Sequence, residues 1–154
     1  MTTHRYDTTI TWEGSTAVGY DHYERGHTAQ VAPVATTFDL SGDPAFRGDG
    51  TRLNPEQLLV LAASSCQLLS FLAATARARI DVVAYHDDAV GEMPDGDRPM
   101  RITRITLRPR ITVRGDVTDA RVRHLVEVGH RECFIANSLT SDIVVEAEIL
   151  RVQG

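Results

Sequence analysis

Asn54-Pro55-Glu56-Gln57-Leu58-Leu59-Val60-Leu61-Ala62-Ala63-Ser64-Ser65-Cys66-Gln67-Leu68-Leu69-Ser70-Phe71-Leu72-Ala73-Ala74-Thr75-Ala76 is the stretch around which the chain organises itself. Asn54 is a good N-cap, because its side-chain oxygen can take a first-turn N–H. Pro55 suits the first helical position, and Glu56 complements the positive end of the helix dipole. The spacing predicts a helix from Pro55 to about Arg79 that is apolar almost all round, the mark of burial on every side. A chain of 154 residues has difficulty covering such a helix completely, and burial by a partner subunit is the natural solution. Residues 58–76 must also be tested as a membrane span. Ser64, Ser65, Gln67, Ser70 and Thr75 interrupt them, so they fall short of a clean run of about 20 apolar residues. A buried core helix is the better reading.

Outward from this helix the periodicity changes. Tyr6, Thr8, Ile10 and Trp12 alternate with Arg5, Asp7, Thr9 and Glu13, which is strand patterning. Short β-prone runs at residues 17–20 and 27–32, near Gly19 and Gly26, complete an expected antiparallel meander. Beyond the helix, residues 80–90 read as a strand. Ile105, Leu107, Ile111 and Val113 alternate with Thr106, Arg108, Arg110, Thr112 and Arg114, giving a strand with one basic face. Pro109 inside it argues for an edge position or a bulge. That Arg face is read as a solvated surface in preference to an anion site. Thr118 is placed to cap a second helix, whose Val122, Leu125, Val126 and Gly129 share one face. Cys133, three turns past Val122, continues that buried face. Residues 143–152 form a last strand, and residues 41–50 and 91–99 are loops. The expected order is β-β-β-α-β-β-α-β, an α+β protein in one domain spanning residues 1–154.

Composition removes several function classes. The net charge is −5 and no basic run appears, which argues against a nucleic-acid surface. All sixteen basic residues are Arg, so Schiff-base chemistry, a Lys general base and a P-loop are excluded. The opening residues 1–7 are polar and lack the apolar core of a signal peptide. A cytoplasmic setting is therefore expected, where a disulfide is more often transient and catalytic than a structural staple.

Two cysteines carry the chemistry that remains. Cys66 lies mid-helix and Cys133 at a helix end, a placement open to a redox pair or to two inert core residues. A metal site has little support: His4, His22, His27, His86, His124 and His130 form no i,i+4 pair, and neither Cys has a second Cys at ligand spacing. A Cys–His hydrolase would pair one thiol with, for example, His130, but no Gly-rich turn exposes Cys66. Glu56 taken alone is most simply a first-turn dipole residue.

Asn54-Pro55-Glu56-Gln57-Leu58, with Cys66 ten residues after the Glu, resembles the signature of the OsmC/Ohr family. Glu132-Cys133 and Asn137-Ser138-Leu139 are similar to that family's second-Cys region. The resemblance implies an intertwined homodimer with antiparallel sheets packed around two long central helices. It also implies a thiol peroxidase that reduces organic hydroperoxides without cofactor or metal and is recycled by a lipoyl-type or small dithiol. By the same resemblance Cys66 is the peroxidatic Cys, Cys133 the resolving Cys and Glu56 the active-site carboxylate. The family's Arg varies in position; Arg47, nine residues before Glu56, matches best, with Arg25 as rival and Arg52 behind. Ser65-Cys66-Gln67, and Cys133-Phe134 in place of a Cys followed by Pro, depart from the commoner pattern. They imply a side branch whose substrate need not be a classical hydroperoxide. The alternative is a stress-response or ligand-binding domain that keeps the fold with little peroxidase turnover.

Overall fold

Asn54 starts the long helix by a reciprocal cap. Its Oδ1 accepts the Gln57 N–H at 2.8 Å, and its own N–H donates to Gln57 Oε1 at 3.1 Å, satisfying two groups that a helix start leaves unpaired. From there α1 (Pro55–Arg77) runs unbroken for 23 residues. It stops where Arg79 turns left-handed, with φ at 56°. The computed structural model describes residues 1–152. It divides into two compact units, Met1–Leu58 and the chain from Leu59 onward.

The first unit holds an antiparallel sheet of β1 (Thr9–Thr11), β2 (His27–Gln30) and β3 (Phe38–Leu40), in that order. The meander is as expected; its members are not. Residues 17–20 supply no strand: Thr16–Val18 form a single 3-10 turn, capped by Ser15 Oγ, which accepts from Ala17 N, and ended by Gly19 at φ 92°. Phe38–Leu40 takes the third place instead. The loop at residues 41–50 contains another 3-10 turn, Pro44–Phe46, capped by Asp43. It folds so tightly that a Cβ on Gly48 would lie 1.6 Å from the Gly42 carbonyl oxygen.

In the second unit each expected long strand is two strands. β4 (Asp81–Asp87) and β5 (Val90–Glu92) replace the first, and β6 (Arg104–Leu107) and β7 (Pro109–Arg114) the second. β8 (Asp142–Val145) and β9 (Glu148–Arg151) replace the third. They form two sheets, ordered β4-β7-β9 and β5-β6-β8. β4–β7 and β5–β6 are antiparallel, whereas β7–β9 and β6–β8 are parallel, so these sheets are mixed. Pro109 marks one break, since it has no N–H to continue a ladder. It sits at the first residue of β7, the central strand of its sheet, so the edge expectation fails; the irregularity lies across the ladder in β4, between Val82 and Ala84. Asp87 ties the break together, accepting Arg108 N at 2.6 Å and the Ser64 hydroxyl of α1 at 2.5 Å.

Thr118 caps α2 (Asp119–Glu132), its Oγ1 accepting from Arg121 N, and the expected face of Val122, Leu125, Val126 and Gly129 is buried. That face joins Phe71 and Ala74 of α1 with Ile111 and Val113 of β7 in one core. A second core joins Ala63 of α1 to Ile102, Ile105 and Leu107. The helices touch at Gly129, where a Cβ would lie 2.9 Å from Phe71 N. Among the described residues the opposite side of α1 is left open: Leu61 is 59% and Leu69 64% exposed. Burial on every side is thus not achieved by the described residues. By length and composition α1 is apolar enough to cross a membrane, yet its Phe71 and Thr75 are buried against protein. The expected basic face is paired: Arg108, between β6 and β7, with Glu146, and Arg110 and Arg114 of β7 with Asp88 and Asp81.

Candidate redox site

α2 ends at Glu132 because Cys133 leaves the helical region, with φ −69° and ψ 112°. Cys133 is buried as the sequence implies, but as the helix cap and not as a continuation of its face. Asn137 fixes the turn that follows. Its Nδ2 donates to the carbonyls of Arg131 and Cys133, each at 3.0 Å, and its backbone N–H also reaches Cys133 O. The turn carries Cys133 close enough to mid-α1 for the two cysteines to shift each other's titration. Its backbone amides point at the sulfurs: Ile135 N donates to Cys66 Sγ at 3.5 Å and Ala136 N to Cys133 Sγ at 3.4 Å.

These contacts polarise the pair. Burial alone would push the Cys66 thiol up, but the Ile135 N–H, the Cys133 thiol, the Phe134 N–H and the Ser70 hydroxyl outweigh it, and its pKa falls below the ordinary thiol value. For Cys133 burial dominates, the Ala136 N–H offsets it in part, and proximity to Cys66 adds to it; its pKa is pushed up to about 11. The surroundings thus favour the thiolate at Cys66 and disfavour it at Cys133. A thiolate is the nucleophilic form. Cys66 opens into an apolar cleft of about 510 Å³ lined by Leu69, Ser70 and Phe134, with Arg77 and Glu132 at its border. Arg77 Nη2 lies 2.6 Å from Glu132 Oε2.

The fold has known counterparts. The family model described as "OsmC-like protein" matches residues 48–148, which include both cysteines and Glu56. The chain belongs to the OsmC-like family. The whole structure is similar to that of VCA0330, an OsmC-like protein of unknown function from Vibrio cholerae, with TM-score 0.85 and 26% identity over 95% of this chain and 100% of that one. It shares its fold with an organic hydroperoxide resistance protein from Elizabethkingia anophelis, with TM-score 0.70 and 16% identity over 97% and 98% of the two chains. A putative organic hydroperoxide resistance protein from Vibrio cholerae, solved with captopril in one active site, gives TM-score 0.66 and 20% identity over 96% and 93%. No curated protein matches the chain in sequence.

The other residues singled out in this OsmC-like chain lie on the first unit. Glu56 is half-buried in the first turn of α1. Arg47 ends the Pro44–Phe46 turn in a left-handed conformation and pairs with Asp21 at 2.7 Å, both largely exposed. Arg52 pairs with Asp49 at 3.5 Å. Arg25 is held more tightly. It donates to the carbonyls of Tyr20 and Tyr23 at 2.7 and 2.8 Å, and its guanidinium lies 3.9 Å from the Tyr23 ring centre. It lines a hollow of about 460 Å³ with Trp12, Tyr20, Phe46 and Pro55. Among the described residues no guanidinium contributes to the lowered pKa of Cys66; hydrogen-bond donors account for it. His130 Nδ1 is buried without a partner, and no hydrogen bond links His130 to either sulfur among the described residues, so a Cys–His dyad is not formed here. Arg77, Glu132 and Ser70 border the cleft without having been among the expected site residues. Arg77 stands eleven residues past Cys66, three turns on along one helix face, and that spacing was the available signal.

Proposed function

We propose that this OsmC-like protein is a thiol-dependent peroxidase for organic hydroperoxides, with residues 1–154 working as one such domain in a cytoplasmic homodimer. The observation that carries the reading is the seating of the Cys133 turn against Cys66, with the Ile135 N–H directed at the Cys66 sulfur, in surroundings that lower the pKa of Cys66 and raise that of Cys133. The Cys66 sulfur attacks the outer peroxide oxygen; the O–O bond breaks, the alcohol leaves with a proton, and Cys66 becomes a sulfenic acid. Cys133 then displaces that oxygen as water and closes a disulfide, which shields Cys66 from further oxidation. A dithiol, lipoyl-type or small, reopens the bridge by exchange. The apolar cleft beside Cys66 favours an alkyl or aryl peroxide over hydrogen peroxide.

Glu56 and an arginine complete the proposed site, the guanidinium meeting the peroxide and the carboxylate orienting it. Spacing in the sequence favours Arg47. The ring and carbonyl contacts of Arg25 favour Arg25 instead, since a guanidinium already held in place loses less freedom when it binds.

Turnover of cumene hydroperoxide and of hydrogen peroxide, each with dihydrolipoamide as reductant, tests the reading. Rapid consumption of the organic peroxide is expected. One stoichiometric oxidation without turnover would instead select a stress-response or ligand-binding domain that has kept the fold.

A further inference from the structure

Glu132 stands where helix electrostatics disfavour it. It is the last residue of α2, next to unpaired carbonyls that give the helix end partial negative charge, and a basic residue suits that place better. Its carboxylate is met by Arg77, the last residue of α1 and 55 positions away in sequence. Cys133 follows Glu132 directly. One other side-chain hydrogen bond also links the two helices: Gln67, next to Cys66, donates from its buried amide to the Val126 carbonyl at 3.2 Å. The helices are thus tied beside Cys66 by one bond and beside Cys133 by the other, with Gly129 against Phe71 between them.

We infer that the Arg77–Glu132 ion pair is a positioning device that holds the end of α2, and with it Cys133, against Cys66 while the disulfide closes. The inference rests on the reading of the two cysteines as a redox pair. The hydrogen bond from the 133–136 turn to α1 ends on the Cys66 sulfur itself, from Ile135 N. That contact changes when the sulfur takes up oxygen. The ion pair does not involve the sulfur, so it persists through the step. In that step Cys66–SOH and Cys133–SH give Cys66–S–S–Cys133 and water, the sulfenic oxygen leaving with the Cys133 proton. A second peroxide competes for the same sulfenic acid, giving a sulfinic acid and an alcohol. A modest change in closure shows directly as a change in this partition. The two side chains are 62% and 52% exposed, which limits the effect to about two- to fivefold.

The test compares wild type with Arg77→Met, Glu132→Gln and the exchanged pair Arg77→Glu/Glu132→Arg. The effective concentration of the Cys66–Cys133 disulfide is titrated against dithiothreitol, which needs no peroxide. The ratio of sulfinic acid to disulfide is then read by mass spectrometry under excess cumene hydroperoxide. Each single variant is expected to lower the effective concentration and raise the ratio by about two- to fivefold while keeping the wild-type circular dichroism spectrum. The exchanged pair restores both, and raising salt moves wild type toward the single variants. Single variants that match wild type, or an exchanged pair no better than the singles, would overturn the positioning role while leaving the redox pair intact. A wild-type protein in which neither diamide nor peroxide forms the disulfide would overturn both.

Discussion

Cys66 and Cys133 carry the same side chain, and their surroundings drive them in opposite directions. Cys66 collects donors that outweigh its burial, whereas Cys133 is pushed up to about 11 mainly by burial. The Cys133 thiol is itself one of the donors to Cys66. Cys133→Ala removes it, so the pH midpoint for peroxide reaction at Cys66 should move upward; thiolate absorbance across a pH titration measures this. A midpoint that stays or falls would mean the Cys133 hydrogen bond does not stabilise the thiolate. Cys66→Ser should abolish turnover, while Cys133→Ser should permit a single round of oxidation at Cys66. The arginine is decided in the same way. Arg25→Met is expected to cut cumene hydroperoxide turnover by about 10²-fold, the scale of losing a positioned charge donor. Arg47→Met should cost little. The reverse pattern would return the role to Arg47. The burial of Cys133 was legible in the sequence, though it caps its helix and does not extend the helix face, and Cys66, read as buried, is half-buried and opens into a cleft. Arg77 and Glu132 were not legible as site residues, because they become neighbours only once α1 and α2 have packed.

At the level of elements, the two helices were readable because their signals are local. Asn54 and Thr118 cap them as the sequence implies, and Gln57 completes the Asn54 cap. The strands were harder. Residues 105–113 alternate as one strand, but Arg108 and Pro109 divide them between two sheets, and only distant partners, β8 and β9, decide where each half pairs. Phe38–Leu40 became a strand through β2, with little in its own sequence to announce it. Helix crossing is similarly a matter of neighbours. Gly129 lies where a Cβ would come 2.9 Å from Phe71 N and 3.0 Å from Phe71 Cα, both backbone atoms unable to yield. Alanine is the better helix former by roughly 1 kcal/mol, but the forced separation of the helices costs about 1–3 kcal/mol and wins. Gly129→Ala should therefore lower the urea midpoint of unfolding, and should also slow disulfide closure by moving Cys133 away from Cys66. A more stable Gly129→Ala protein would show that the crossing has room to relax.

Taken as a molecule, one subunit leaves Leu61, Leu69 and Leu72 exposed along α1, more apolar helix surface than a single soluble chain ordinarily leaves open. A homodimer that buries this face is the proposed state. Helix geometry bears on the active site as well. Ten residues of unbroken helix place Glu56 and Cys66 of one subunit roughly 15 Å apart along α1. We therefore propose that Glu56 serves the Cys66 of the partner subunit, across a two-fold axis. Inactive Glu56→Ala and Cys66→Ser proteins, mixed under conditions of subunit exchange, should regain activity, since one subunit supplies an intact Cys66 and the other an intact Glu56. A mixture as inactive as its parents, with exchange confirmed, would rule out the shared site. The central claim, that Cys66 attacks peroxide and Cys133 captures the product, is tested most directly by mass spectrometry of the non-reduced digest. The wild-type protein is treated with one equivalent of cumene hydroperoxide. The account predicts a Cys66–Cys133 cross-linked peptide formed in step with one equivalent of alcohol. Persistent free thiols, or a sulfinic acid at Cys66 with Cys133 still reduced, would contradict it.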